Sequence, residues 1–125
     1  MELKEQKHTM DLSYYLGTWD NPYEKARLID SFTFFESEGE LRMTIKNSTD
    51  SFCQDDWGIG LVRAHAYNPD LHEVVAFQAH FFKEDLEMFL AINENKGLLV
   101  IAAYITFKNN DEKSDYFVRE FFHKR

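Results

Sequence analysis

The chain has one cysteine, two prolines and five glycines in 125 residues. A lone Cys53 permits no internal disulfide, which excludes a disulfide-stapled secreted scaffold and favours a reducing compartment. Its neighbours Gln54, Asp55 and Asp56 carry no positive charge to lower its thiol pKa, so it is not read as a nucleophile. The scarcity of proline and the absence of Ser/Gly-rich tracts leave no linker at which to divide the chain. No apolar run is long enough to span a bilayer, and Met1 to Met10 is too polar for a signal peptide. A cytoplasmic location is expected. Basic residues are the minority, 14 Lys and Arg against 22 Asp and Glu, for a formal net charge of −8. That balance opposes contact with nucleic-acid phosphate and anionic lipid surfaces, so neither a nucleic acid nor a membrane is expected as a partner.

Aromatic side chains are plentiful. Twelve Phe, six Tyr and two Trp make up 16% of a chain that is 44% hydrophobic. This supplies ample volume to fill or line one interior. One domain over residues 1–125 is expected, with 1–8 frayed and Met10, Leu12, Tyr14, Tyr15 and Leu16 forming a short helical turn that plugs one end. From Gly17 onward, aromatic and β-branched runs alternate with turn chemistry. The spacing predicts strands at 16–20, 28–36, 40–47, 57–67, 73–83, 86–93, 97–107 and 115–123. Glu38-Gly39, Asn68-Pro69-Asp70, Glu84-Asp85 and Asn93 to Gly97 supply the tight connections. Eight consecutive strands with short connections point to an all-β fold, an antiparallel up-and-down barrel, because closure removes exposed edges.

Two-residue turns at Glu38-Gly39 and Glu84-Asp85, and four-residue loops at Asn68 to Leu71 and at Gly97 with its three predecessors, sort the side chains onto two faces. Phe34 falls opposite Met43, and Phe32 opposite Ile45. One face of the later strands carries Gly58, Gly60, Val62, Ala64, Val75, Phe77, Ala79, Phe81, Leu86, Met88, Leu90, Ile92, Leu99, Ile101 and Ala103. It is almost wholly apolar and is taken as the interior. The other face is mixed and carries Trp57, Arg63, His65, Gln78, His80, Glu87, Phe89, Val100 and Tyr104.

Gly17-Thr18-Trp19 on the first strand and Arg119 within the closing run Tyr116 to Phe122 resemble a signature of the calycin superfamily, that is, lipocalins, cytosolic fatty-acid-binding proteins and avidins. In those barrels a Gly-x-Trp sits at the closed end and a basic residue of the last strand lies across the Trp. The resemblance implies that Trp19 and Arg119 close the barrel through a cation–π contact and that a small ligand enters from the opposite end. The chain departs from the pattern in two respects. Ser114-Asp115-Tyr116 echoes the second lipocalin signature one strand too late, and there is no sign of the two-helix lid of the fatty-acid binders.

Three functional readings remain open on these residues. In the first, the apolar interior, with Phe32, Phe34, Met43, Phe77, Phe81, Met88 and Leu90, holds a small hydrophobic molecule. In the second, Arg63, His65 and His80, with Gln78 and Glu87 nearby, form a catalytic pocket of isomerase, cyclase or lyase type; should that face point outward, they are ordinary surface residues. In the third, the barrel is filled by its own side chains and acts through its surface or as a homo-oligomer. The small residues at 58, 60 and 64 opposite Phe77 and Phe81 leave either a ligand void or plain large-against-small packing. No metal is expected, since His65 and His80 lack a good third ligand. No cofactor is expected either: Gly58-Ile59-Gly60 lacks the further glycine and helix of a phosphate cradle.

Overall fold

The computed structural model describes residues 11–70, 73–109 and 112–125. Eight antiparallel strands run in sequence order around a closed barrel, the last pairing with the first. They are β1 (Gly17–Asp20), β2 (Ile29–Ser37), β3 (Glu40–Asn47), β4 (Gly60–Ala66), β5 (Val74–Phe82), β6 (Leu86–Asn95), β7 (Leu98–Phe107) and β8 (Tyr116–Lys124). Ahead of β1, Leu12 O accepts from the N–H groups of Tyr15 at 2.9 Å and Leu16 at 3.2 Å. The expected helical turn is therefore a single hydrogen-bonded turn. Met10 and the frayed segment 1–8 lie outside the described residues.

Turn chemistry sets the register. Glu38 and Gly39 both have positive φ, 55° and 79°, as the centre of a type I′ turn requires. Phe34 accordingly faces Met43, and Phe32 faces Ile45. Lys96 and Gly97 repeat the device at 54° and 86°, so Asn95 pairs directly with Leu98 and the expected four-residue loop is a two-residue turn. The β4–β5 pairing, with Ala64 opposite Phe77, is likewise displaced from the expected register. Both displacements are of two residues, and a period of two leaves the faces as the sequence implies.

Two local departures have physical causes. A bulge between His65 and Ala66 shifts the β4–β5 register, so Val74 rather than Val75 is buried. The fourth strand begins at Gly60 instead of Trp57 because Gly58 has φ 78° and donates its N–H to Asp56 Oδ1 at 2.9 Å. The chain bends there, leaving Gly58 exposed and burying Trp57, whose Nε1 donates to Asn47 Oδ1 at 2.8 Å.

The apolar face is the interior. Phe32, Phe34, Met43, Phe77, Phe81, Met88 and Leu90 are all buried there. Rings meet rings: Phe32 lies 5.0 Å from both Phe34 and Phe122, and Phe34 lies 4.8 Å from Phe77, separations typical of packed aromatic pairs. At Gly60, the space a Cβ would need is taken by the Phe81 ring, at 2.5 Å. There the small residue packs directly against a large one.

Candidate functional site

The two ends of the barrel differ. At the turn end, Tyr15 and Trp19 are buried and Trp19 lies over Phe32 in a stacked arrangement. Trp19 Nε1 donates to Tyr15 O at 2.9 Å, and the Tyr15 hydroxyl donates to Val74 O at 2.8 Å. Burial pushes the Tyr15 phenol up from its ordinary pKa, and the carboxylates of Glu94 and Glu73 add to the shift. A cavity of about 600 Å³ outside this plug is bordered by Asp11, Glu73, Glu94 and Tyr14, with no basic residue on its walls.

Arg119 does not take part in closure. Alternation along β8 buries Val118, Glu120 and Phe122 and turns Phe117, Arg119 and Phe121 outward, and the Arg119 guanidinium sits 5.2 Å from the Phe121 ring centroid. The cation–π contact expected with Trp19 is therefore replaced. Trp19 instead pairs with Lys124, and Asp20 with His123. Lys124 Nζ lies 4.8 Å from the Tyr14 ring centroid and donates to Tyr14 O, while Arg125 grips the Asp20 carboxylate with two bonds of 2.9 and 2.7 Å.

The β1–β8 ladder is short, two residue pairs extended by the Arg125 N–H, which donates to Thr18 O at 2.9 Å, and beyond it β8 is joined to the start of β2 by a side chain. Glu120 points inward, and its carboxylate accepts the backbone N–H groups of Arg27 at 2.8 Å, Leu28 at 3.3 Å and Ile29 at 2.9 Å. A charged acceptor thus substitutes for the missing strand ladder. The β1–β2 loop arches away between these anchors, fixed by Asn21, which accepts from Tyr23 N at 2.9 Å and donates to Ile29 O at 3.0 Å.

The arch makes a groove of about 520 Å³ against β8, walled by Tyr23, Lys25, Arg27, Arg119 and Phe121 with Glu120 among its lining residues. No other carboxylate borders it, and that of Glu120 is committed to three backbone donors. A second concavity of about 370 Å³ shares Arg27 and is lined by Phe52, Phe107 and Tyr116 together with Asp50, Lys113 and Ser114. Phe52 packs edge-on against Phe107 and Tyr116 at 5.6 Å each, and Arg27 stands 5.6 Å over the Tyr116 ring. The β3–β4 loop that carries Phe52 is tied down by Gln54 Nε2, which donates to Ser48 O at 3.0 Å and Ser51 O at 2.9 Å. Arg27 therefore stands between two concavities at the loop end, opposite Trp19: one with Lys25 and Arg119, the other with the Phe52, Phe107 and Tyr116 rings beside Asp50 and Lys113.

The residues considered for chemistry lie side by side on adjacent strands, Arg63 facing Gln78, but on the outer face and not in a pocket. Arg63, His65, Gln78 and His80 are on the outer wall; His65 Nε2 lies 3.3 Å from Gln78 Oε1, and His80 packs 4.7 Å from Phe89. None of them lines a concavity described above, and neither does any of the seven interior residues. Among the described residues no group of three His, Cys, Asp or Glu could hold a metal ion, and no helix is long and apolar enough to cross a membrane. Glu120 and Arg27 were missed by sequence reasoning. The one available signal was a lone carboxylate at an inward position between Val118 and Phe122. No family model, no curated protein and no solved structure matches this chain.

Proposed function

We propose that the chain is a calycin-like small-molecule-binding barrel that takes an amphipathic organic anion at its loop end. The observation that carries this reading is Arg27, whose backbone N–H is held by Glu120 and which borders two adjoining concavities, one with Lys25 and Arg119 and the other with the rings of Phe52, Phe107 and Tyr116. The anionic group sits among Lys25, Arg27 and Arg119, and the apolar body lies on Phe52, Phe107 and Tyr116. Each concavity falls in the range that small ligands fill, roughly 300–1,000 Å³. The reading that places a hydrophobic ligand in the interior draws less support, because Phe32, Phe34 and Phe77 pack on one another and Phe81 occupies the space at Gly60. The enzymatic alternative draws none from Arg63, His65 and His80, which share no cavity. A cytoplasmic setting fits the single free, buried Cys53.

Fluorescence titration with anilinonaphthalene sulfonate, an apolar body with one anionic group, tests the reading. A single saturable site is expected, weakened about tenfold by Arg27→Ala, the cost of one charge-assisted contact. Phe77→Leu should leave affinity unchanged. Loss of binding in Phe77→Leu with retention in Arg27→Ala would place the ligand in the interior and sink the proposal.

A further inference from the structure

We infer that the outer wall of β4–β8 is an interface for a second copy of this chain. His80 faces Phe89, Phe89 faces Tyr104, and Tyr104 faces Phe117, so four rings stand in one cross-strand row over four strands, with Leu61, next to the Val62 that faces Ala79, beyond it on β4. Their centroids are 4.7, 6.2 and 5.1 Å apart in sequence. The row is not covered: Leu61 is 57% exposed, Tyr104 50%, Phe117 49% and, on its flanks, Phe82 64% and Phe121 43%. Two residues along each strand lies a second row, Arg63, Gln78, Ala91, Ala102 and Arg119, also in register. An aromatic ridge thus runs beside a groove floored by two alanines and ended by two arginines.

This pattern is complementary to itself, which is what an isologous interface requires. A two-fold axis along the boundary between the rows sets each ridge into the other copy's groove, with Phe89 over Ala91, Tyr104 over Ala102, and Phe117 under Arg119. Area and charge favour the same occupant. A buried aromatic covers about 150–250 Å², so these half-exposed rings with Leu61 and the arginine stems offer roughly 600–800 Å² per copy, near the ~800 Å² of a stable complex. Of the 22 acidic residues, only Glu87 faces outward on these strands. Two chains of charge −8 that meet here keep their repelling carboxylates apart. Aromatic and arginine enrichment with acidic depletion is also the composition of interface cores.

Sedimentation velocity of the full chain over a wide concentration range is the test. The expected species is a dimer of the 14.9 kDa chain. Tyr104→Glu, which charges the ridge, and Ala102→Arg, which fills the groove, should each weaken dimerisation at least tenfold, with thermal melts and circular dichroism confirming folded protein. Arg119 borders both this face and the proposed ligand groove, so the two are told apart at residues they do not share: Lys46→Ala on the opposite wall and Arg27→Ala at the loop end should leave the dimer intact. A chain that stays monomeric up to about 100 µM, above the micromolar range of weak standard-size interfaces, overturns the inference. So does a dimer indifferent to both ridge and groove variants, or a monomer that floats with lipid vesicles through this wall.

Discussion

At the turn end, Tyr15 and Trp19 are buried, the Trp19 indole and Tyr15 phenol each have a backbone partner, and the charges bordering the adjacent cavity are carboxylates, with Lys124 over Tyr14 on the other side. At the loop end, Tyr23, Arg27 and Phe52 stand exposed on excursions of the chain and the nearest free charges in the groove are cationic. The same barrel therefore carries one end built for burial and one for contact. Burial of Trp19 and its neighbours is a packing statement, because a filled end leaves nothing for a ligand to displace. Exposed rings held by a fixed loop are what the proposed recognition would use, since loops on a rigid scaffold present side chains at low ordering cost.

The sharpest way to break this comparison is at Trp19. Its side chain is fully buried and stacked on Phe32, so Trp19→Ala should cost about 3–5 kcal/mol, measured by denaturant unfolding with linear extrapolation. Wherever the variant remains folded, the sulfonate probe should bind as in the parent, because the loop end does not depend on the plug. A parallel loss of binding would show that the two ends are one unit. Next comes Glu120→Gln, which keeps the shape of the clamp but removes its charge and sets an amide NH₂ against backbone N–H groups. A penalty of about 3 kcal/mol is expected, together with faster amide exchange at Arg27, Leu28 and Ile29. Exchange unchanged at those three amides would contradict the clamp.

Gly60→Ala probes the interior between the ends. Its Cβ would lie 2.5 Å from the Phe81 ring, and overpacking of that kind costs about 1–3 kcal/mol. A void beside Phe81 would let the ring swing away and make the substitution neutral in calorimetry. Arg27→Ala should be nearly silent in stability, within about 0.5 kcal/mol as for ordinary surface positions, while weakening probe binding. That contrast with Trp19→Ala, stability without binding against binding without stability, is the comparison in its strongest form.

The strands were legible because turn residues and period-two alternation are local. Glu38-Gly39 supplies the turn the sequence announces, and where a two-residue turn at Lys96-Gly97 replaces the expected four-residue loop, the two-residue slip leaves the faces intact. The seam was not legible. Both faces of β8 are aromatic, with Tyr116, Phe117, Phe121 and Phe122 divided between them, so alternation alone could not tell that Glu120 turns inward and Arg119 outward. Nor does any local pattern in Asn21 to Arg27 reveal that its last residues rest on a carboxylate more than ninety positions away. Long-range acceptors of this kind are fixed by closure, and closure follows only once every register is known.

The smallest expected effect lies where the chain ends meet. Asp20 accepts two bonds from Arg125, which hold its carboxyl below the usual carboxylate range. A carboxyl whose folded pKa is depressed contributes stability that is present above its unfolded value, about 3.9, and is lost as pH falls through the folded value. Because the pair is near the surface, that contribution is small and screened by salt. Thermal melts of the parent and of Asp20→Asn should therefore differ slightly at neutral pH and converge as the pH drops below about 4. A difference that persists at acid pH would mean that Asp20 acts through packing against β8 rather than through its charge.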